Sequence, residues 1–382
     1  MSSQKIPFNI PPKSTNELRY IGEAIENGKL SGDGVFSKRC TEWLKQNIGS
    51  EMAVITSSCT AALEMAMVLA DIKPGDEVIL PSYTFTSTAT APLLFGAVLV
   101  FVDIEPATMN INASLIEAAI TTKTKMIIPV HYAGVACDMK TIMALAEKHN
   151  LIVVADAAQA IFSSYLNQPT GSWGHMAAYS FHETKNIVCG EGGALVINDE
   201  RFKKRAEIVR DKGTNRQQFL NGQVDKYTWV DKGSSYLQSE LATAFLFSQL
   251  EDGEAITDKR LNIWNVYHSE LKSLEEAGKV ERMSIPQDRL HNAHMYFVKL
   301  ASRDVCKNLM LHLKEQGIQA TTHYVPLHSS EAGTKYGKTS GAMIVTNDLP
   351  YRILRLPLYA DLTLDQARSV TEQIKAFFKG AP

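Results

Sequence analysis

Seven short apolar runs, separated by stretches of helical periodicity, recur between residues 53 and 198 of this 382-residue chain. Most are nearly continuous in Val, Ile and Leu, which is typical of strands buried on both faces. Alternation of such strands with helices predicts an α/β fold around a mostly parallel, seven-stranded sheet lying between helices. The predicted strands are 53–57, 77–81, 98–104, 125–132, 151–158, 176–182 and 193–198.

The second half of the chain has a different pattern. A charged helix is predicted over 199–212, and a long helical region over 239–274 has a break near Gly253. Apolar strand patterns and helices then follow in mixed order, which predicts a smaller C-terminal α+β domain. We therefore expect a large domain over 1–250 and a small one over 251–382.

Charge and composition argue against several classes of protein. Lys and Arg number 39 against 41 Asp and Glu, so no basic excess exists for nucleic-acid binding. Residues 78–102 carry no charge, but Pro81, Pro92 and Gly96 interrupt them; we interpret them as two buried strands and a helix, not a membrane span. Five scattered cysteines without a C-x-x-C pair, and no apolar stretch of signal-peptide length at the start, indicate a cytoplasmic protein without a metal site.

The segment TSSCTAAL at 56–63 predicts a strand that ends in hydroxyl residues and runs directly into a helix. Free N–H groups and the positive end of the helix dipole meet at such a turn, which favours phosphate binding. Ser58 and Thr60 would add hydroxyl donors. Simple N-capping by Ser or Thr explains the same pattern.

The segment VVADAAQA at 153–160 puts Asp156 at the carboxyl end of a buried strand, where open α/β sheets bind ligands. A buried carboxylate is costly unless it pairs with a cation or a protonated base. A helix cap or a structural ion pair is the alternative interpretation.

The segments SFHETKN and GEGG contain a hydroxyl at Ser180, a lysine at Lys185 and a glycine turn over 190–193. Glycine permits close backbone approach. A lysine between an apolar strand and this turn is expected to be partly buried, which lowers its pKa and makes the amine nucleophilic. A phosphate-binding turn, a strand-end aspartate and a nucleophilic lysine together match the needs of pyridoxal 5′-phosphate.

Motifs spread along the chain carry a wider similarity: GDEVILPSYTF, FVDIEPATMNI, PVHYAG, ADAAQA, SFHETKN, GEGG, HYVPLH and RLPLY. With these motifs the sequence resembles the DegT/StrS-type nucleotide-sugar aminotransferases, which are fold-type I pyridoxal-phosphate enzymes. The resemblance implies a transaminase rather than a dehydratase of the same fold, because those dehydratases have histidine in place of the lysine. The first alternative is an aminotransferase of the same family that acts on another keto position or gives the gluco epimer. A cofactor-binding protein without turnover and an unrelated phosphate-binding enzyme that uses the glycine turn are more distant alternatives.

The resemblance also implies roles for single residues. Lys185 would form the Schiff base, Asp156 would pair with the pyridine nitrogen, Gln159 would contact the ring hydroxyl and Phe85 would stack on the ring. The expected phosphate-binding residues are Ser58, Cys59, Thr60 and Ser180, with Ser235 reaching across from a second subunit of a homodimer. Cys59 stands where many members have glycine, and Ser235 where many have asparagine.

Further segments, including GKLSGDG, KGTNRQQF and GSSYL, resemble the members that form TDP-4-amino-4,6-dideoxygalactose for enterobacterial common antigen. That resemblance implies amino transfer from L-glutamate to TDP-4-keto-6-deoxy-D-glucose. Lys212 and Arg216 are candidates for the pyrophosphate of the substrate, because arginine binds phosphate oxygens bidentately. Tyr324 is either a core residue or a contact of the sugar.

Overall fold

The structure is a computed structural model that describes residues 5–380. Residues 1–4 of the predicted large domain and residues 381–382 of the predicted small domain lie outside this range. Its helices are α1 Glu17–Glu26, α2 Val35–Ile48, α3 Cys59–Leu69, α4 Thr86–Leu93, α5 Ile116–Ala119, α6 Met139–His149, α7 Glu200–Val209, α8 Arg216–Leu220, α9 Glu240–Glu251, α10 Gly253–Glu270, α11 Lys272–Glu276, α12 Arg303–Glu315, α13 Glu331–Tyr336 and α14 Leu364–Gly380.

The strands confirm the predicted series, because each of the seven begins within one residue of its predicted start. The strands are β1 Met52–Thr56, β2 Glu77–Pro81, β3 Val98–Val102, β4 Thr124–Ile127, β5 Ile152–Asp156, β6 Ser164–Tyr165, β7 Gln168–Pro169, β8 Met176–Ser180, β9 Gly193–Ile197, β10 Val280–Arg282, β11 Arg289–Leu290, β12 Tyr296–Leu300, β13 Gly337–Thr339 and β14 Ile353–Leu356.

A large sheet with the order β1-β9-β8-β5-β4-β2-β3-β13 forms the centre of the fold. Seven of these strands run in one direction, and β9 runs opposite to them. The prediction of seven strands was one short, because β13 pairs with β3 although it lies more than 200 residues further along the chain. A short Gly-containing segment carries too little apolar periodicity to mark an edge strand.

The uncharged segment 78–102 forms β2, α4 and β3 in the sheet and its covering layer, as predicted. Among residues 5–380, no helix combines the length and apolarity that crossing a membrane requires.

The long helical region divides where the glycine predicted it would. Helix α9 ends at Glu251 and α10 begins at Gly253. Gly253 is buried, and a Cβ atom there would collide with the ring of Phe162. The glycine therefore lets the helix junction pack closely against the large sheet's connecting loops.

A second sheet, β10-β12-β14, is antiparallel and packs with α10, α12 and α14 around an apolar core that also includes Tyr83 and Tyr132 from the earlier part of the chain. Besides β13, the backbone pairings that join this part of the chain to the earlier residues include β11 with β6 and a bridge from Ile6 to Ile318. The division at residue 250 stays a prediction.

Candidate active site

The carboxyl ends of the parallel strands open into a cavity of about 620 Å³. Residues that follow β1, β2, β5 and β8 line its large-sheet side, and residues from β14 and the segment before β12 line the other. Side chains far apart in sequence meet here because parallel strands end at the same sheet edge.

The turn between β1 and α3 lies at one end of the cavity. Ser58 caps α3, with its hydroxyl accepting a hydrogen bond from the N–H of Ala61 at 3.0 Å. Within the described chain, the N–H groups of Cys59 and Thr60 have no protein acceptor. The N-capping interpretation is therefore correct for Ser58, and the unused N–H groups at the positive helix end still suit a phosphate.

Gly193, the first residue of β9, permits this turn. A Cβ atom at Gly193 would collide with the backbone of Ser58 and Cys59. The last glycine of the GEGG segment therefore allows β9 to pack closely against the turn. Gly192 of the same segment lines the cavity.

Asp156 ends β5 and is 5% exposed. Thr88 donates to its Oδ2 at 2.7 Å, and the N–H of Ala158 donates to its Oδ1 at 3.1 Å. Burial raises the pKa of Asp156, while these hydrogen bonds and the charge of Lys185 act in the opposite direction. These hydrogen bonds fix the direction of the carboxylate, and no cation of the described residues forms a salt bridge with it. The carboxylate can therefore pair with a cationic group of a ligand.

Lys185 lies in the loop after β8, half-buried, with its side chain lining the cavity. Burial lowers the pKa of Lys185, and the charge of Arg355 adds to this effect, whereas Asp156 opposes it. The expected partial burial is confirmed. A lysine with a lowered pKa carries more neutral, nucleophilic amine at a given pH.

An aromatic wall faces these groups. Phe85 is 56% exposed although it lies inside the site, because its ring borders the open cavity. Its only aromatic neighbour among the described residues is Tyr324, with ring centroids 6.0 Å apart. Tyr324 accepts a hydrogen bond from Gln159 Nε2 at 3.0 Å, while Gln159 Oε1 accepts from the N–H of Ala133. Tyr324 is therefore a wall residue of the cavity and also packs against the small-sheet core.

Arg355, on β14, enters the cavity from the side of the small sheet. Its Nε has no hydrogen-bond partner within residues 5–380, and its guanidinium lies over the ring of Phe8 at 4.6 Å. Burial lowers the pKa of Arg355. The groups that act in the opposite direction are tyrosines, and no carboxylate is among them. Sequence reasoning assigned this arginine no role; its signal was a single charge inside the apolar run ILRLPLY.

Nine of the predicted site residues line this one cavity, while three do not. Those in the cavity are Ser58, Cys59, Thr60, Phe85, Asp156, Gln159, Ser180, Lys185 and Tyr324. Lys212 is exposed and pairs with Asp211 at 2.9 Å, and Ser235 is exposed beside the same aspartate. Arg216 pairs with Asp211 and lines a different cavity, of about 560 Å³.

The donor groups that line the cavity fit pyridoxal 5′-phosphate in kind. The α3 turn offers N–H groups for the phosphate, Asp156 offers a buried carboxylate for the protonated ring nitrogen, and Lys185 offers an amine for the aldehyde. The exposed face of Phe85 is available for stacking on a flat ring. No group of three possible metal ligands occurs among the described residues.

Comparisons with known proteins agree with this geometry. The sequence model of the DegT/DnrJ/EryC1/StrS aminotransferase family matches residues 12–375. SpsC, a spore coat polysaccharide biosynthesis protein of Bacillus subtilis (strain 168), is 31% identical over 389 residues and covers 98% of both chains.

Solved structures give the same result. DesV of S. venezuelae, in complex with a ketimine intermediate, has a TM-score of 0.89 and 28% identity, covering 99% of this chain and 100% of that one. The PMP form of Spr1654 from Streptococcus pneumoniae has a TM-score of 0.88 and 25% identity, covering 98% and 99%. The mixed α/β fold with its large, mostly parallel sheet is thus that of known aminotransferases.

Proposed function

Because the chain belongs to the DegT/DnrJ/EryC1/StrS aminotransferase family, we propose that it is a pyridoxal-phosphate-dependent transaminase acting on a nucleotide-linked keto sugar. The proposed reaction moves an amino group from L-glutamate to TDP-4-keto-6-deoxy-D-glucose and forms TDP-4-amino-4,6-dideoxy-D-galactose. The observation that carries the proposal is the convergence of Lys185, Asp156 and the α3 turn in one cavity.

When bound, pyridoxal 5′-phosphate supplies an aldehyde and an electron-accepting ring. Asp156 keeps the ring nitrogen protonated by pairing with it, because a buried carboxylate gains most from a cationic partner. The α3 turn and Ser180 would hold the phosphate, and Phe85 and Gln159 would hold the ring, since all of them line the cavity.

Lys185 has two tasks in this proposal. Its amine holds the cofactor between reactions, and once released it moves a proton to or from the substrate carbon next to the transferred nitrogen. Its lowered pKa suits both, since the amine must be neutral to attack and to accept a proton.

Arg355 is the proposed partner of the amino donor's α-carboxylate. Its guanidinium lines the cavity without a carboxylate partner in the described chain, and a bidentate ion pair would satisfy its unused donors.

The sugar and its nucleotide are assigned from the sequence resemblance to the TDP-4-amino-4,6-dideoxygalactose transaminase. We propose that Tyr324 borders the sugar, and that Lys212 and Arg216 contact the pyrophosphate. Ser235 and these two cations lie outside the cavity within one chain. The proposal therefore includes a homodimer in which they serve the neighbouring subunit's site.

Relatives support the chemical class. The names of SpsC and of the DesV complex refer to polysaccharide synthesis and to a ketimine intermediate, and that of Spr1654 refers to a PMP form. These terms are consistent with amino transfer to a sugar through a pyridoxamine state.

Product analysis tests the proposal. Purified protein is incubated with pyridoxal 5′-phosphate, TDP-4-keto-6-deoxyglucose and L-glutamate, with Lys185→Ala as the matched control. We expect 2-oxoglutarate and an amino sugar with small proton couplings from H4 to its neighbours, as an axial C4 amine requires. A large H3–H4 coupling indicates the gluco epimer, and nitrogen on C3 indicates a 3-keto substrate; either corrects the product. Absence of amino transfer from several donors contradicts the transaminase itself.

A further inference from the structure

The first turn of helix α4 contacts three separate parts of the site. Phe85, which precedes the helix, borders the cavity with its ring. The hydroxyl oxygen of Ser87 lies 2.7 Å from that of Thr60 at the start of α3. Thr88 lies beside the carboxyl end of β5, and its hydroxyl donates to Asp156 Oδ2 at 2.7 Å. The turn therefore holds the groups proposed for the ring, the phosphate and the ring nitrogen relative to one another.

Thr84 extends the contact between Thr88 and Asp156. Its hydroxyl oxygen lies 2.9 Å from that of Thr88, and both threonines are buried. Threonine hydroxyls inside helices commonly bond to a carbonyl one turn earlier, whereas Thr88 donates to a carboxylate on another element. Hydrogen bonds between buried groups polarise one another because water does not compete for them. The two hydroxyls and the carboxylate therefore form one connected group.

The charge of Asp156 determines the direction of these two hydrogen bonds. A hydroxyl group has one hydrogen, and an ionised carboxylate only accepts. Because Thr88 gives its hydrogen to Asp156, its oxygen accepts the hydrogen of Thr84. We call this arrangement the Thr84–Thr88 relay. A proton on Oδ2 would compete with the Thr88 hydrogen for the space between the two oxygens, so the relay favours the ionised carboxylate.

Other groups around Asp156 also influence its charge. Burial raises the pKa of Asp156, while the hydrogen bonds from Thr88 and from a backbone N–H, and the charge of Lys185, act in the opposite direction. Asp156 also contributes to the raised pKa values of Cys59 and Tyr324, for which burial is the main cause. Among the described residues, Thr88 is the one side chain that donates to the Asp156 carboxylate. Its hydroxyl can therefore be removed without changing any of the charged groups.

We propose that Thr84 and Thr88 are positioning residues for Asp156: the relay keeps its carboxylate ionised and fixes its plane, so that its free lone pairs can accept from the protonated ring nitrogen of the cofactor. A carboxylate has about four lone-pair sites, and the hydrogen bonds from Thr88 and Ala158 use two of them. The inference rests on the proposed function, in which Asp156 is the partner of that nitrogen.

Three substitutions test the relay in the full-length protein without cofactor. Thr88→Val keeps the side-chain shape and removes the hydroxyl, so the pKa of Asp156 should rise by about one unit or more. Thr88→Ser keeps the hydroxyl and should stay within about 0.3 units of the wild type. Thr84→Val only weakens the Thr88 donor and should raise the pKa by less than about half a unit. The double valine variant should match Thr88→Val alone, because Thr84 acts through Thr88.

The carboxyl carbon of ¹³C-labelled aspartate reports ionisation in NMR spectra, and loss of one signal in Asp156→Asn assigns it. Thr371→Val is the matched control, since Thr371 is also buried in a helix, bonds to a carbonyl of its own helix α14 and lies outside the cavity. It should leave the Asp156 titration unchanged. Thermal unfolding of every variant is recorded as well. A lowered unfolding temperature of Thr88→Val with an unchanged Asp156 titration would show a packing role alone and overturn the proposal.

A second measurement uses protein loaded with pyridoxal 5′-phosphate that carries ¹⁵N in its ring. The wild type should show the signal of a protonated ring nitrogen. Thr88→Val should move this signal toward the unprotonated value, because a more basic carboxylate takes a larger share of the proton. Thr88→Ser should restore the wild-type signal. In steady-state assays, Thr88→Val should lower kcat by about fivefold or more and change the KM for glutamate by less than about threefold, because donor binding does not use the relay.

Identical Asp156 titrations in the wild type and Thr88→Val, or additive effects of the two valine changes, would overturn the relay even if the protein transaminates. A wild-type protein that shows the predicted titration and ring-nitrogen signal but transfers no amino group would instead overturn the proposed function. The two failures are therefore distinguishable.

Discussion

The carboxylate of Asp156 shows how one residue is prepared for a ligand. Burial works against its charge, while hydrogen bonds from Thr88 and Ala158 favour the charge and fix its direction. Such a group gains most when a cation arrives on its open side.

Replacing Asp156 by Asn tests that role. The amide fits the same space and binds the cofactor, but it cannot stabilise a protonated ring nitrogen. We expect the rate of amino transfer to fall by at least about a hundredfold, or roughly 3 kcal/mol. Cofactor absorbance and steady-state rates measure the two effects, with the exposed Asp304→Asn as the control. A rate within about threefold of wild type would exclude the ion pair.

The lowered pKa of Lys185 predicts its reactivity. Burial disfavours the charged ammonium, so the neutral amine becomes abundant at a lower pH than for a surface lysine. In cofactor-free protein, an amine-acylating reagent should modify Lys185 at lower pH than exposed Lys272. Peptide mass spectrometry across a pH series provides the comparison. Modification of Lys185 only at the same or higher pH would contradict the assigned environment.

At the level of elements, the phosphate-binding turn depends on the packing of β9 against the start of α3. Gly193 opposes both Thr56 on β1 and Ser180 on β8, at the place where the turn leaves the sheet. The close approach leaves no space for a side chain. Strand β9 therefore sets the geometry of the turn, although β9 itself is not proposed to bind the phosphate.

Gly193→Ala should push β9 away from this turn. We expect a loss of about 1–3 kcal/mol in unfolding free energy from overpacking. Cofactor affinity should fall as well, because the N–H groups of Cys59 and Thr60 shift. Gly22→Ala is the control, since Gly22 lies in α1 with open space around it. The control should be neutral or stabilising by up to about 1 kcal/mol. Unchanged cofactor affinity in Gly193→Ala would show that the turn tolerates the shift.

At the scale of the whole molecule, the segment 212–235 has an unusual surface. Trp229 is 79% exposed, and Phe219, Tyr227 and Val230 are exposed on the same segment. Large exposed apolar side chains in one region are typical of an interaction surface. The predicted homodimer, with Arg216 and Ser235 on this segment, would cover it.

A mixing experiment tests whether sites are shared between subunits. Lys185→Ala and Arg216→Ala are each expected to be impaired alone. If Arg216 serves the neighbouring subunit, each mixed dimer has one intact site of two, so mixed dimers purified through both tags should have about half of wild-type activity. Co-expression with two tags, followed by purification and assay, measures this recovery. No recovery in confirmed mixed dimers would place Arg216 with its own chain.

The sequence by itself determined the features that are local in the chain. Short patterns of apolar, hydroxyl and glycine residues predicted the strand starts, the helix break at Gly253 and the α3 turn. They also singled out Asp156 and Lys185. Local patterns are reliable there because backbone geometry and strand burial act over a few residues. The resemblance added Phe85 and Gln159, which have no distinctive local signal.

Only the tertiary structure decided what distant segments do together. It placed β13 in the large sheet and brought Arg355 of β14 into the same cavity as Lys185. It also placed Lys212, Arg216 and Ser235 outside the cavity of their own chain. These outcomes depend on burial and on contacts between residues more than a hundred positions apart, and no short window of sequence contains both partners of such a contact.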